Sequence, residues 1–323
     1  MKIRDPNLSS ETLKEDRKEV ELPPLESITV NSSKNPFMFW FVWTAVLIII
    51  ALVGFVVGRF IGINGYESID VLFDLFISQT FWTGVAVGFC AQIIDGALGM
   101  AYGISATTFL LSMGSSPASA SASVHIAAVF TTGLSGIAHV KFGNVSKELF
   151  IRLLLPGIIG AFCGVLFVTQ IDGDKLKPVI SLYLLIMGVI IIRKSMKRSK
   201  KENLEVSKVA KLALAGGFMD SAGGGGWGPV VTSTLVGAGQ DPRSTIGSVN
   251  FAEFFLTLAT AGFFSIFIST IPWSTVSGLV IGGIFAAPFA AIICKFLPIK
   301  PLMILVGLVV SILSMINIFQ FIG

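Results

Sequence analysis

The chain has 323 residues and a formal charge of +4, with 53% hydrophobic, 11% aromatic and only 13% charged residues and a mean hydropathy of +0.83. These values lie far from those of soluble domains and make the chain an integral membrane protein. They exclude a nucleic-acid-binding surface, because one basic loop accounts for the charge and the basic residues are not interleaved with exposed aromatics.

Residues 1–36 are polar, mixed in charge and without apolar periodicity, and read as a disordered or loosely helical extension. No short apolar segment follows the basic start at the distance of a cleavable signal peptide. Apolar stretches near the 20-residue length that crosses roughly 30 Å of hydrocarbon follow at 37–61, 118–140, 149–170, 178–192, 245–270, 276–294 and 301–322. The first reads as an extra leading transmembrane helix, 37–62. Two further apolar stretches, 81–113 and 213–238, hold the glycine motifs "DGALGMAYG", starting at Asp95, and "DSAGGGGWG", starting at Asp220. Cys90, Cys163 and Cys294 lie inside apolar segments without CxxC spacing, so they are expected to be packing residues rather than disulfide partners or metal ligands.

A shift of 125 positions superposes the two motifs without a gap. Asp95 falls on Asp220, Gly99 on Gly224, Gly103 on Gly228, Pro117 on Pro242, Ser123 on Ser248 and Thr132 on Thr257, among 14 identities between 95 and 132. Shared apolar composition does not account for so many matches in one register. The chain therefore reads as an internal duplication, repeat 1 at 81–193 and repeat 2 at 212–323, joined by a basic loop at 194–211. Such repeats are typical of secondary transporters.

Lys and Arg concentrate in short cytoplasmic loops. Residues 193–211 carry eight and 141–152 three, which places both loops inside; 62–80 has none and carries Glu67, Asp70 and Asp74, which suits the outside. With 1–36 also inside, these placements agree only if 81–113 enters and returns on one side, although the lysines of 171–177 then lie outside. Its 33 residues would form a helix of about 50 Å, too long for one span and too short for two. A broken, re-entrant pair of half-helices with its vertex at the glycine motif fits that length. Each repeat then makes three crossings, and the second is inverted relative to the first.

Irregular backbone inside a membrane is tolerated only where it is buried in protein or lines a wet cavity. Gly99, Gly103, Gly224, Gly225 and Gly228 therefore point to a cavity in which a ligand approaches backbone, against the plainer alternative of close helix packing. The N-termini of the half-helices that follow present free N–H groups and favour an anion. Ionisable residues inside spans are few: Asp95, Asp220, Glu253, His125 and His139. Asp95 and Asp220 are candidates either for capping the following half-helix or for direct contact with substrate. Asn250 superposes on His125, lies one turn from Glu253, and Ser123 and Ser248 stand two residues before the pair. An anion at this level would face Asp95, Asp220 and Glu253 as repelling carboxylates, so one of the three is expected to carry a proton when substrate is bound. Glu253, whose repeat position holds Ala128, is the expected coupling residue. His139 is expected near an interface. No nucleophile-base pattern or metal-ligand spacing is visible, so neither an enzyme nor a cofactor is expected.

The blocks "GFCAQIIDGALGMAYGISATTFLLSMGSSPASASASVHIAAVFTTGLSG" and "GGFMDSAGGGGWGPVVTSTLVGAGQDPRSTIGSVNFAEFF", with the spans that follow each, resemble the sulfite exporter TauE/SafE family over about residue 81 to the C-terminus. The resemblance implies an all-α polytopic protein of a bacterial plasma membrane that moves sulfite, sulfoacetate or a related organosulfonate, as an exporter. An anion channel, or an importer of another small oxyanion or carboxylate, is the alternative reading. The implied partners are a small anion and the lipid bilayer, and no oligomeric state follows. The first repeat reads "GALGMAYG" where the second reads "SAGGGGWG", a departure that bears on substrate rather than fold.

Overall fold

The computed structural model describes residues 77–98, 100–196, 206–268, 271–296 and 299–322, with a few helical positions between 40 and 50. The expected extension 1–36, most of the leading span 37–62, Gly99 and residues 197–205 of the basic loop lie outside the described residues. Every described element is helical. In chain order they are α1 (Gln79–Leu98), α2 (Tyr102–Ser112), α3 (Pro117–Lys141), α4 (Lys147–Gln170), α5 (Gly173–Met196), α6 (Val206–Gly223), α7 (Ser233–Gly237), α8 (Pro242–Phe267), α9 (Trp273–Phe296) and α10 (Ile299–Ile322). A π-helical turn, Gly228–Thr232, leads into α7.

Local chemistry sets several of these starts. The hydroxyls of Ser116 and Ser146 accept the N–H groups of Ser119 and Leu149, and the Asp241 carboxylate accepts that of Ser244 at 2.8 Å. Pro117 and Pro242 open the first turns of α3 and α8, where a missing N–H costs nothing. Five described helices, α3, α4, α5, α8 and 300–321 within α10, are long and apolar enough to cross a membrane. The chain is a multi-pass membrane protein. Its outer faces carry exposed Leu155, Ile159, Leu182, Phe285 and Leu308, the surface a bilayer covers. Cys90 and Cys163 correct the expectation of packing thiols: both lie exposed on the outer faces of α1 and α4, where a small apolar side chain meets lipid.

α1 packs along α9, α4 along α6, α3 against α8 and α5 against α10. The first two pairs run parallel and touch backbone to backbone through small residues. A Cβ at Gly278 would sit 2.8 Å from Val85 N, and one at Gly282 2.8 Å from Phe89 N; in the other pair, a Cβ at Gly160 would sit 2.9 Å from Phe218 N and one at Gly164 3.0 Å from Ala222 N. α3 and α8 run antiparallel. The rings of His125 and Phe264 are 6.0 Å apart, Thr132 Oγ1 and Thr257 Oγ1 3.4 Å, and Asn250 donates to Ser135 Oγ at 3.2 Å. The connection from α3 to α4 meets α8 near its start, where Ser146 N donates to Ser248 Oγ at 2.8 Å. At the other end of the bundle, the start of α5 lies against Ser116 and Pro117. The helix bounds recur along the chain: Leu98, Pro117 and Met196 are followed 125, 125 and 126 residues later by Gly223, Pro242 and Ile322.

With Pro117 at one end and Pro242 at the other, cysteines placed at Ser115 and Gln240 on a cysteine-free background are expected on opposite membrane faces. An impermeant thiol reagent added to intact cells should label one of them and leave the other. Equal labelling of both from outside would overturn this packing.

Candidate functional site

Two helices stop inside the bundle, α1 at Leu98 and α6 at Gly223, and the chain resumes as helix only at Tyr102 and at Gly228. In each break the aspartate one turn before the stop caps the restart. Asp95 Oδ1 accepts Tyr102 N at 3.2 Å and Asp220 Oδ1 accepts Trp227 N at 3.0 Å. The seven-residue loop that each aspartate closes is the same, which accounts for the shared spacing of the two sequence motifs.

The breaks touch each other. A Cβ on Gly103 would lie 2.7 Å from Gly225 Cα and 2.8 Å from Gly224 O, so only glycine permits the two backbones to cross here. Gly224 also has φ +70°, and Ala101, just before α2, has φ +89°, the one described non-glycine residue in that region. Carbonyls freed by the second break find side-chain donors: Thr107 Oγ1 donates to Gly224 O at 2.7 Å, Tyr183 OH to Gly225 O at 2.7 Å and Ser121 Oγ to Ser221 O at 2.6 Å. Trp227, wholly buried, packs against Gly157 and donates through Nε1 to Val249 O at 3.2 Å.

Around this crossing lies a cavity of about 30 Å³, lined by both breaks together with Asp95, His125, Thr132, Asp220, Glu253 and Thr257. A second cavity of about 200 Å³ adjoins it. The second shares Asp95, Thr131, Thr132 and Glu253 with the first and continues past Ser135 and Asn250 to His139 and Ile246, toward the end that holds the α3–α4 connection. His125 Nε2 stands 3.0 Å from Asp220 Oδ2, while its Nδ1 stands 2.8 Å from the backbone oxygen of Ser121. A carbonyl oxygen only accepts, so Nδ1 donates to it. Nε2 and Asp220 must then share a further proton, either as imidazolium and carboxylate or as imidazole and carboxylic acid. Glu253 faces both cavities and has no hydrogen-bond partner among the described residues, unlike the two aspartates.

Of the residues singled out from sequence, Asp95, Gly103, His125, Asp220, Gly224, Gly225, Gly228 and Glu253 come together around the first cavity. Asn250 lies in the second. Ser123 and Ser248 line neither cavity: Ser123 Oγ donates to Ser119 O at 2.7 Å within its own helix, and Ser248 joins α8 to the start of α4. Gly99 falls outside the described residues. His139 Nδ1 stands 3.3 Å from Asn144 Nδ2, at the end of α3. Sequence reasoning missed Tyr102, Thr131, Thr132 and Thr257 as lining residues. Tyr102 carried a signal, since it occupies the repeat position of Trp227; its hydroxyl is buried without a partner among the described residues. Thr257 carried another, as the repeat partner of Thr132.

The model of the sulfite exporter TauE/SafE family matches residues 84–316, nearly the whole described region, both breaks included. The chain belongs to that family. The family consists of membrane transporters, not enzymes. The chain is also 46% identical over 222 residues, 66% of its own length and 74% of the relative's, to the probable membrane transporter protein YtnM of Bacillus subtilis (strain 168). No solved structure matches it. In this chain the two glycine motifs are facing walls of one cavity, and the aspartates that open them cap the restarting helices.

Two outcomes follow for the family site. Gly225→Val should abolish transport while protein still reaches the membrane, since its Cβ would lie 2.7 Å from Gly103 Cα; normal transport rates in this variant would remove the crossing from the site. Asp220→Ala, which strips partners from Trp227 N and His125 Nε2, should lower stability by about 2 kcal/mol or more, whereas Asp220→Asn, which can bond both, should lose markedly less. Thermal unfolding in detergent measures the difference, and equal losses would contradict the bonding described.

Proposed function

We propose that this TauE/SafE protein is a secondary transporter that exports a small sulfur-containing anion, sulfite, sulfoacetate or a similar organosulfonate, across a bacterial plasma membrane with proton coupling through Glu253. The observation that carries the reading is the cavity formed where two interrupted helices meet, continued by a larger cavity that runs toward the end holding the α3–α4 connection. A path that runs toward one end supports alternating access over a channel.

The transport unit is two copies of one five-helix element, α1–α5 and α6–α10, of inverted orientation. The helix pairing supports this: each helix of one half packs on the partner that its counterpart requires, α1 on α9 as α6 on α4. Because α9 starts at the end where α8 finishes and runs parallel with α1, while α2 finishes at that same end, α1 and α2 form a re-entrant hairpin from it. α6 and α7 form the matching hairpin from the opposite end. The basic residues of the α3–α4 connection and of the stretch after α5 assign the end that holds the larger cavity to the cytoplasm. On this reading the larger cavity is the route by which cargo enters from the cell interior.

Anion affinity comes from the restarting half-helices, whose first N–H groups have no intrahelical acceptors. The first turn of α2, with Gly103 and Ile104, lines the cavity directly. An anion there is opposed by carboxylates, and the two aspartates have partners, so Glu253 is the group left to take up and release a proton. Substrate moving one way with Glu253 protonated, and the empty site returning with Glu253 in the other state, links the two fluxes.

In proteoliposomes loaded with sulfite, an imposed pH gradient should accelerate sulfite flux through the unmodified protein. Glu253→Gln should lose that dependence on the gradient and keep sulfite exchange at equal pH. Full gradient-driven flux in the variant would leave Glu253 a structural residue.

A further inference from the structure

Carried across the 125-residue offset, the larger cavity, which the reading above assigns to the cytoplasmic side, defines a second set of residues. Ile246, Asn250, Glu253, Thr132, Ser135 and His139 of that cavity correspond to Ser121, His125, Ala128, Thr257, Thr260 and Phe264. The two sets are in opposite states. Every member of the second is buried, from 0% exposed at Ser121, Thr260 and Phe264 to 6% at Ala128. They are also bonded across helices. Ser121 Oγ donates to Ser221 O at 2.6 Å, Ser221 Oγ stands 3.3 Å from Thr260 Oγ1, His125 Nε2 stands 3.0 Å from Asp220 Oδ2, and the Phe264 ring packs on His125. In the first set the corresponding helices are separated by about 200 Å³ of space.

We infer that Ser121, His125, Ala128, Thr257, Thr260 and Phe264 line the outer half of the translocation path, and that the bonds joining α3, the end of α6 and α8 are the latch that closes it. This rests on the inverted-repeat reading above and extends it to a site of its own. The geometry says what opening requires: the end of α6 must leave α3 and α8, which breaks Ser121–Ser221, Ser221–Thr260 and His125–Asp220 together, and the pairing of α3 with α8 at Thr132 and Thr257 serves as the pivot. The exposed wall would be hydroxyl-rich with one imidazole, and the carboxylate of Asp220 would stand beside it. Such a wall suits passage of a hydrated anion as long as His125 keeps the shared proton. The inner wall, with Asn250 at the His125 position and Glu253 at the Ala128 position, binds protons on a carboxylate instead.

Thiol accessibility tests the latch without any assumption about cargo. On a cysteine-free background, Thr260→Cys should react slowly with an impermeant methanethiosulfonate reagent applied from outside, and Asn250→Cys should react readily when the reagent is applied from the cytoplasmic face of inverted vesicles. Adding Ser121→Ala, which removes one bond of the closed state, should raise the first rate about 2- to 10-fold, while the second falls only by the small fraction of molecules moved out of the dominant inward-open state. No rise at Thr260→Cys, or a rise accompanied by faster reaction at Asn250→Cys, would mean general loosening and would overturn the latch. A second arm uses the pair Ser221→Cys with Thr260→Cys. Oxidation should cross-link it and stop sulfite exchange in proteoliposomes, and reductant should restore exchange. Cross-linking with undiminished exchange, or failure to cross-link, would also overturn the proposal. The expected labelling in a protein that moves no sulfite would keep the latch and reject only the cargo.

Discussion

Where a helix is interrupted inside a bilayer, the N–H and C=O groups it releases have no water to turn to and must be satisfied by protein. Two such interruptions placed against each other solve much of this problem jointly. Asp95 and Asp220 cap the restarts, Thr107 from one half reaches Gly224 in the other, and Tyr183 and Ser121 reach Gly225 and Ser221. The second break depends on the opposite half, because Thr107, Ser121 and Tyr183, which bond its carbonyls, sit on helices of the first. The cavity is a by-product of that dependence. Backbone cannot fill space as side chains do, and the crossing of Gly103 with Gly225 leaves a pocket beside it, walled by the residues that hold it in place.

What differs between the halves is as informative as what recurs. The caps, the prolines that open α3 and α8, and the central threonines are common to both. His125 faces Asn250 across the offset, Glu253 faces Ala128 and Tyr102 faces Trp227. The shared residues build the scaffold, and the divergent ones give the two sides of the cavity different chemistry. The carboxylate of Glu253 stands on one side of the cavity and the paired imidazole of His125 on the other.

Much of this was legible from the chain alone. The 125-residue register located both breaks and both aspartates to the residue, because capping and positive φ demand specific residue types that survive in the sequence. The membrane character was equally plain from hydropathy. Side-chain direction was not: Ser123 and Ser248 stand beside His125 and Asn250 in sequence, yet each bonds a carbonyl one turn earlier and turns away from the cavities. Spacing along a helix gives a face, but which face meets the cavity depends on the packing of α3 on α8. The pairing of His125 with Asp220 was hidden for a similar reason, since the partners lie 95 residues apart and belong to different halves. The orientation of Cys90 and Cys163 toward lipid could not be read either, because a span that is apolar all round gives no contrast between its buried and lipid-facing sides.

Lys194 closes the account of the second hairpin. Its ammonium donates to Pro229 O at 2.8 Å and also bonds Ser233, bridging α5 to the π-helical turn across a groove of about 520 Å³ walled by Val179, Leu182, Ile186 and Met219. α2, by contrast, packs directly on α10, which holds Phe319 at the position equivalent to Lys194. The wall of the groove is apolar, the kind of surface acyl chains cover in a bilayer, while the contact of α2 with α10 is protein against protein. The two hairpins are therefore bounded differently: beside the second lies a gap that Lys194 and Tyr183 of α5 span, and the first lies directly against α10.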